Sequence, residues 1–460
     1  MIDLLFESAT DARKALRGKD ISAVELVTAV LDRIDAVNPA LNAVVELRRD
    51  EALREAAAAD QVLASGVDVG PLHGIPITVK EAINVAGMRT TWGNPAFAEY
   101  VADADATAVR RLKDAGAIVV GKTNVAMMLG DFAQTENPIY GVTNNPWNLS
   151  HTPGGSSGGA AAAISAGLSF LELGSDLVGS IRIPASFCGV YGLRPSVHTV
   201  PLTGFQPPGP PALASDRTYL SALGPMARSA GDLRTALAVA GGPENPAAQA
   251  FSWRLPAPRH ERLRDFRVGV VLDHDGCPVT SEVGMALSNA VDALAQSGAT
   301  IVEGWPKDID PMRSAESFGF HVQLFFAHAQ PGAEMPEMSA VVEQEKKRMA
   351  YRAAWASYFG DVDVFLCPTN FTAAFPPDDR PFEQRTIATD CGERRYDEQP
   401  FWTAHPALAG LPAVSAPIGR TPSGLPVGAQ IVGPQHEDDT AITFAELAAD
   451  IIGGFERLSS

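Results

Sequence analysis

The chain has 460 residues, 46% of them hydrophobic and 20% charged, the balance of a soluble globular protein with ample length for a full core. Its 36 basic and 54 acidic residues leave a net charge of -18, a field that repels phosphate backbones and excludes nucleic-acid binding as a main activity. Met1 to Ala15 hold acidic residues and no apolar run of signal-peptide length, and no stretch of about 18 apolar residues follows, so the cytoplasm is the expected location and no membrane span is expected.

Residues 8 to 64 predict three helices. Ser8 or Thr10 can cap the first. Ser22, with Glu25 three residues on, is a capping box for the second, whose Leu26, Ala29, Val30 and Ile34 recur at helical spacing until Pro39 stops it. An alanine-rich third runs from about Glu46 to Ala64. The period then changes. Gly74-Ile-Pro-Ile-Thr-Val-Lys80 is a β-branched strand candidate, Thr107 to Ala115 a helix, and Ala117-Ile-Val-Val-Gly121 a buried strand. Residues 141 to 159 are irregular, Ala160 to Gly167 is a small-residue helix, and Leu171 to Gly174 is a strand followed by a turn carrying Ser180. Prolines and glycines make 195 to 215 a long loop, which borders a site more readily than it fills a core; Gln206 to Ala214 is a candidate lid. The pattern restarts with strand Arg267 to Leu272, helix Ser281 to Gln296 and strand Val362 to Cys367, and closes with Gln430 to Gly433 and a helix around Asp439 to Ile452. Strands alternating with helices predict an α/β protein with a largely parallel sheet. Cys188, Cys277, Cys367 and Cys391 are far apart and form no Cys-x-x-Cys pair, so buried thiols are expected rather than a metal site or disulfides.

Three segments can carry chemistry. Pro153-Gly-Gly-Ser-Ser-Gly-Gly159 surrounds two serines with glycines just before a helix, which permits a tight turn and close backbone approach. Alone it stays open to other readings. It can be a flexible loop. Gly154-x-Ser156-x-Gly158 also matches the nucleophile elbow of α/β-hydrolases, but the elbow requires a preceding strand where this chain has Pro146 and Pro153. A phosphate-binding loop would need a Gly-Lys-[Ser/Thr] that does not follow. The second segment, Gly174 to Ala185, ends a strand in a turn that projects Ser180, with the amides of 177 to 180 able to receive an oxyanion. Asp176 and Arg182 read as a structural ion pair, substrate contact by Arg182 being the other option. The third is Lys80, which either snorkels to solvent or is held as a desolvated base.

Taken together, Gly74 to Lys80, Gly121-Lys-Thr-Asn124, Asn145-Pro-Trp147, Pro153 to Gly159 and Gly174 to Ala185 resemble the amidase signature family. The likeness continues through Phe187 to Pro195, Gly224 to Arg228, Asp363 to Thr369 and Gly424 to Gln430, in motif order over nearly the whole chain. It implies one continuous α/β/α domain over 66–460 around a large twisted mixed sheet, with an N-terminal helical segment, 1–65, packed on that core. It implies a Ser, cis-Ser, Lys triad, with Ser180 as nucleophile, Ser156 as relay joined to Gly155 by a cis bond, and Lys80 as base. Ser157, Asp176 and Arg182 would support it, and the amides of Leu177, Val178, Gly179 and Ser180 would form the oxyanion hole. Ala126 to Phe132 falls where the family lines its substrate site, so Met127, Met128, Gly130 and Phe132 are candidate pocket residues, core packing being the plainer reading of the methionines. Two residues depart from the family pattern. Val178 stands where glycine is usual, restricting the backbone and adding bulk beside the oxyanion hole, and Glu81 replaces an aspartate.

The implied activity is hydrolysis of amide C–N bonds through an acyl-enzyme, extending to aryl amides, esters and carbamates. It needs a neutral lysine, a fall of roughly 3 units from about 10.4 that takes about 4 kcal/mol of desolvation or cationic neighbours. A glutaminase subunit of an amidotransferase is the alternative; it would need a partner and an ammonia channel, and Ile183 stands where such subunits usually have glutamine. A catalytically weakened relative is the other, motivated by Val178. No cofactor, metal, nucleic acid or membrane partner is implied. The substrate is a small molecule, and a homodimer is left open.

Overall fold

The structure is a computed structural model and describes residues 3–67, 69–208, 220–329, 334–390 and 392–458. Ser8 accepts from the Asp11 N–H and starts α1 (Ala9–Gly18). Ser22 and Glu25 complete a reciprocal capping box on α2 (Ala23–Leu41). Pro39 does not end α2, contrary to expectation. Pro39 costs α2 one N–H bond and crowds the carbonyl four residues back, yet the helix runs two residues further and stops where Asn42 turns left-handed at φ 52°, its N–H on Asn38 O at 2.7 Å. The third helix, α3 (Arg49–Ala64), starts later than expected because Val44–Leu47 is a strand, β1.

The chain continues through β2 (Pro76–Lys80), α4 (Thr107–Asp114), β3 (Ile118–Thr123), α5 (Gly158–Ser165), β4 (Leu171–Asp176), α6 (Arg182–Cys188), β5 (Tyr191–Arg194) and β6 (Ala222–Ala227). After α7 (Ala230–Ala240) come β7 (Arg267–Val270), α8 (Ser281–Gln296), β8 (Thr300–Glu303), α9 (Pro311–Ala329) and α10 (Met338–Tyr358). It closes with β9 (Val364–Pro368), α11 (Phe401–Ala409), β10 (Ala413–Arg420), β11 (Pro426–Val432) and α12 (Asp438–Ile452). Eleven strands form one sheet in the order β1-β3-β2-β4-β6-β5-β10-β11-β9-β7-β8. Only β3-β2-β4 and β9-β7-β8 pair in parallel; the remaining neighbours are antiparallel. The sheet is therefore mixed rather than largely parallel, because the hairpin β10–β11 and the return strand β6 occupy its centre.

Strands β2, β3, β4, β6, β9 and β11 are buried at every residue, as expected of strands covered on both faces. The cover nearest the site is α5 and α6, both wholly buried. The small residues of α5, Gly-Gly-Ala-Ala-Ala-Ala-Ile-Ser, let its backbone sit close on β2 and β4. One contiguous apolar core runs from Leu5 and Leu26 in the N-terminal segment through Ile77, Val79 and Leu173 to Ile452. Among the described residues no helix is long and apolar enough to cross a membrane. Cys188, Cys277 and Cys367 are free and buried; Cys391 lies outside the described residues.

Candidate active site

Lys80 is the last residue of β2 and Asp176 the last of β4, so the carboxyl ends of two parallel neighbours meet beneath the loop that enters α5. Lys80 Nζ lies 2.8 Å from Ser156 Oγ and 2.9 Å from Ser175 Oγ, and the lysine is fully buried. The Gly155–Ser156 bond is cis. A Cβ at Gly155 would meet Gln134 O at 2.3 Å and Asp131 O at 2.7 Å, so this loop packs backbone on backbone and admits only glycine. The Ser157 N–H donates to Ser180 O at 3.2 Å, tying the serine loop to the turn after β4. Ser156 and Ser180 line the same cavity without a hydrogen bond between them in this state. Such contacts are often loose before substrate binds.

Burial pulls the Lys80 amine down to about 7, against the opposing pull of Asp176 and Glu172. Burial alone would raise the Asp176 carboxyl. The Arg182 guanidinium more than reverses this and, with Arg194, holds it well below the ordinary carboxylate range. Arg182 grips both oxygens, Nε to Oδ2 at 2.9 Å and Nη2 to Oδ1 at 2.8 Å, and donates from Nη1 to Thr403 O and Gln430 Oε1 at 2.9 and 2.6 Å. It is fully buried behind the turn and does not line the cavity. Its part is to fix Asp176, which in turn accepts from the N–H groups of Gly179 and Ile181 at 2.9 and 3.2 Å.

The Gly179 N–H, one of the four expected oxyanion donors, is taken by Asp176 Oδ1. Gly179 has another task. Its φ of 108° and the contacts a Cβ would make, 2.9 Å to Ile183 Cδ1 and 3.0 Å to Thr403 Oγ1, require glycine there. Val178, by contrast, is not among the residues of positive φ. Its carbonyl accepts from Thr403 Oγ1 at 3.1 Å and its side chain lines the cavity. Valine at 178 therefore needs no left-handed backbone, and it adds bulk to the cavity wall.

The cavity holds about 360 Å³ and its walls are dominated by Trp92, Phe132, Phe205, Phe325, Phe326 and Phe382, with Met128 and Gly130 alongside. Trp92 stacks on Phe205 at 5.1 Å, and Phe132 meets Phe382 edge-on at 5.6 Å. Met127 is the exception among the candidates. It is 48% exposed and faces an outer groove with Asp131 and Gln134. The lid segment lies outside the described residues from 209 onward. Glu172 and the aromatic pair of α9 lie outside the sequence motifs, and Ser175 lies inside Gly174 to Ala185 without being marked there as a site residue. A glutamate inside Phe170-Leu-Glu-Leu173 is a visible signal; nothing local marks Phe325 or Phe326.

The chain also matches the family model Amidase, over residues 25–330 and 307–442. It belongs to the amidase signature family. As a member it is a hydrolase of amide C–N bonds. An indoleacetamide hydrolase of Bradyrhizobium diazoefficiens is 35% identical over 95% of this amidase and 85% of its own length. A glutamyl-tRNA(Gln) amidotransferase subunit of Thermosynechococcus vestitus is 33% identical over 92% and 93%. Among solved structures, 6-aminohexanoate cyclic dimer hydrolase complexed with substrate superposes with a TM-score of 0.76 at 27% identity, covering 98% of each chain.

Proposed function

We propose that this amidase is a serine hydrolase of small amides bearing an aryl or other apolar group, acting through an acyl-enzyme on Ser180. The observation that carries the reading is the fully buried Lys80 amine 2.8 Å from Ser156 Oγ. Neutral Lys80 takes the Ser156 proton while Ser156 takes that of Ser180, and Ser180 Oγ attacks the carbonyl carbon. The amides of Leu177, Val178 and Ser180 receive the oxyanion. Collapse breaks the C–N bond as the relay returns the proton to the leaving nitrogen. Water then cleaves the acyl ester by the same relay. Esters and carbamates can pass through the same cycle.

The aromatic walls support an apolar substrate, although Ser175, Ser221, Gln323 and Asp397 also line the cavity. The similarity to an amidotransferase subunit keeps the glutaminase reading testable. Across anilides, aryl-substituted acetamides, aliphatic amides, esters, carbamates and free glutamine, the aryl amides are expected to exceed glutamine in kcat/KM by at least about 100-fold, roughly 2.7 kcal/mol. Glutamine as the best substrate, or a second subunit co-purifying with the chain, would favour the glutaminase.

Val178 supplies a second test. Since Val178 has no positive φ and its side chain lines the cavity, the effect of Val178→Gly is expected to come from bulk at the cavity wall. It is expected to change kcat/KM by about tenfold, roughly 1.4 kcal/mol, raising it for bulky acyl groups and lowering it for small ones. A change of one sign and size across all acyl groups would place the effect in the oxyanion amides instead.

A further inference from the structure

One buried carboxyl close to the site has no part in the cycle above. Glu172, in the middle of β4, is 2% exposed. It pairs with Thr78 of β2, two residues before Lys80, so the glutamate and the lysine rise from the same face of the sheet. Its Oε1 accepts from Thr123 Oγ1 at 2.8 Å. Thr123 belongs to β3 and pairs with Lys80 from the far side of β2. The side chain of Glu172 therefore crosses over β2, beside Lys80, to reach β3. Its Oε2 and Thr78 Oγ1 make no hydrogen bond of ordinary length and angle, though the Thr78 hydroxyl is near enough to pull on the carboxyl.

A carboxylate buried with one oxygen poorly served is costly, and the neutral acid is the form such a place favours. Burial pushes this carboxyl up to about 8, against the pull of the threonine hydroxyls and of Lys80. The neighbouring elements add little charge. α5 brings only glycine, alanine, isoleucine and serine, β6 sets Met226 opposite Glu172, and β3 brings Thr123. Asp176, further along β4, acts on Lys80 but is held by Arg182 and lies 3.7 Å from Arg194.

We propose that Glu172 is a positioning residue for Lys80, leaving the amine as a free base while it keeps its own proton and holding the amine as ammonium when it gives that proton up. The proposal rests on the reading of Lys80 as base. Near neutrality the two groups share one exchangeable proton, as coupled sites do. Every molecule in which that proton sits on Lys80 cannot activate Ser156.

Glu172→Gln keeps the size and removes the charge. The rate at which a fluorophosphonate modifies the enzyme, followed from about pH 5 to about pH 9, reads the base without the natural substrate. The parent's acid limb is expected near 7, the value to which burial brings Lys80. The variant's limb is expected at lower pH by about half a pH unit or more, so that at about pH 6 its rate, as a fraction of its plateau, is at least about 2.5-fold the parent's. Thr123→Val deprives the carboxylate of its donor and is expected to move the limb the same way by less, which keeps the comparison available if the glutamine variant folds poorly. Limbs that coincide in parent and variants overturn the proposal. A Lys80→Ala protein labelled at the parental rate at every pH would overturn the reading of Lys80 instead.

Discussion

Lys80→Ala is expected to lower kcat/KM by about 100- to 10,000-fold, the range that a positioned general base contributes. The only other group within hydrogen-bond reach of Lys80 Nζ besides Ser156, among the described residues, is the Ser175 hydroxyl, which at ordinary pH is no base. Water admitted to the vacated space would be a far weaker acceptor. Because removing a long buried side chain also leaves a cavity, Lys80→Met belongs beside it. The methionine fills the space without a basic nitrogen, and its activity is expected to fall as far while its thermal midpoint stays nearer the parent's. His151→Ala is the control among the nine histidines. Its ring contacts Ser150 Oγ at 3.2 Å on a loop and does not line the cavity, so a change of less than about twofold is expected. Activity that survives the lysine change and collapses with the histidine change would reverse the assignment.

How far the sequence reveals the fold depends on whether the signal is local. The capping box of Ser22 and Glu25 and the helix Ser281 to Gln296 are local patterns, and both are present as expected. Strand β6, Ala-Leu-Gly-Pro-Met-Ala, carries a glycine and a proline that lower any strand reading, and β10 carries Pro417 at a register shift. The direction of pairing is not local at all. A period of two says which face a residue occupies, not which neighbour it bonds, so the antiparallel centre of the sheet could not be read from the alternation of elements. Helix α10 shows only Trp355 buried among its described residues and so offers no apolar stripe to read.

The chemistry of the site was more legible than its walls. Lys80, Ser156 and Ser180 each sit in a short run whose residue types are unusual, and those runs converge in space. The pocket is assembled from loops and from α9, where nothing distinguishes Phe325 and Phe326 from core residues. Met127 and Met128 are adjacent in sequence but diverge. Met128 takes a left-handed φ of 51°, so successive side chains leave the turn on different sides, one to the outer groove and one to the cavity. Likewise, the Gly179 N–H donates to Asp176 Oδ1, a contact that no motif displays.

Mapping the covalent adduct separates Ser180 from Ser156 most directly. Both hydroxyls open to one cavity and both stand among glycines, but only Ser180 lies in a turn that follows a strand. After brief exposure to a fluorophosphonate, intact mass is expected to show one adduct per chain, and peptide mapping to place it on Ser180. Ser180→Ala is expected to abolish both the adduct and turnover, whereas Ser156→Ala leaves the nucleophile in place and slows labelling by about 100-fold or more, as loss of a proton relay should. An adduct on Ser156 in the parent protein, persisting in Ser180→Ala, would contradict the assignment and make Ser156 the nucleophile.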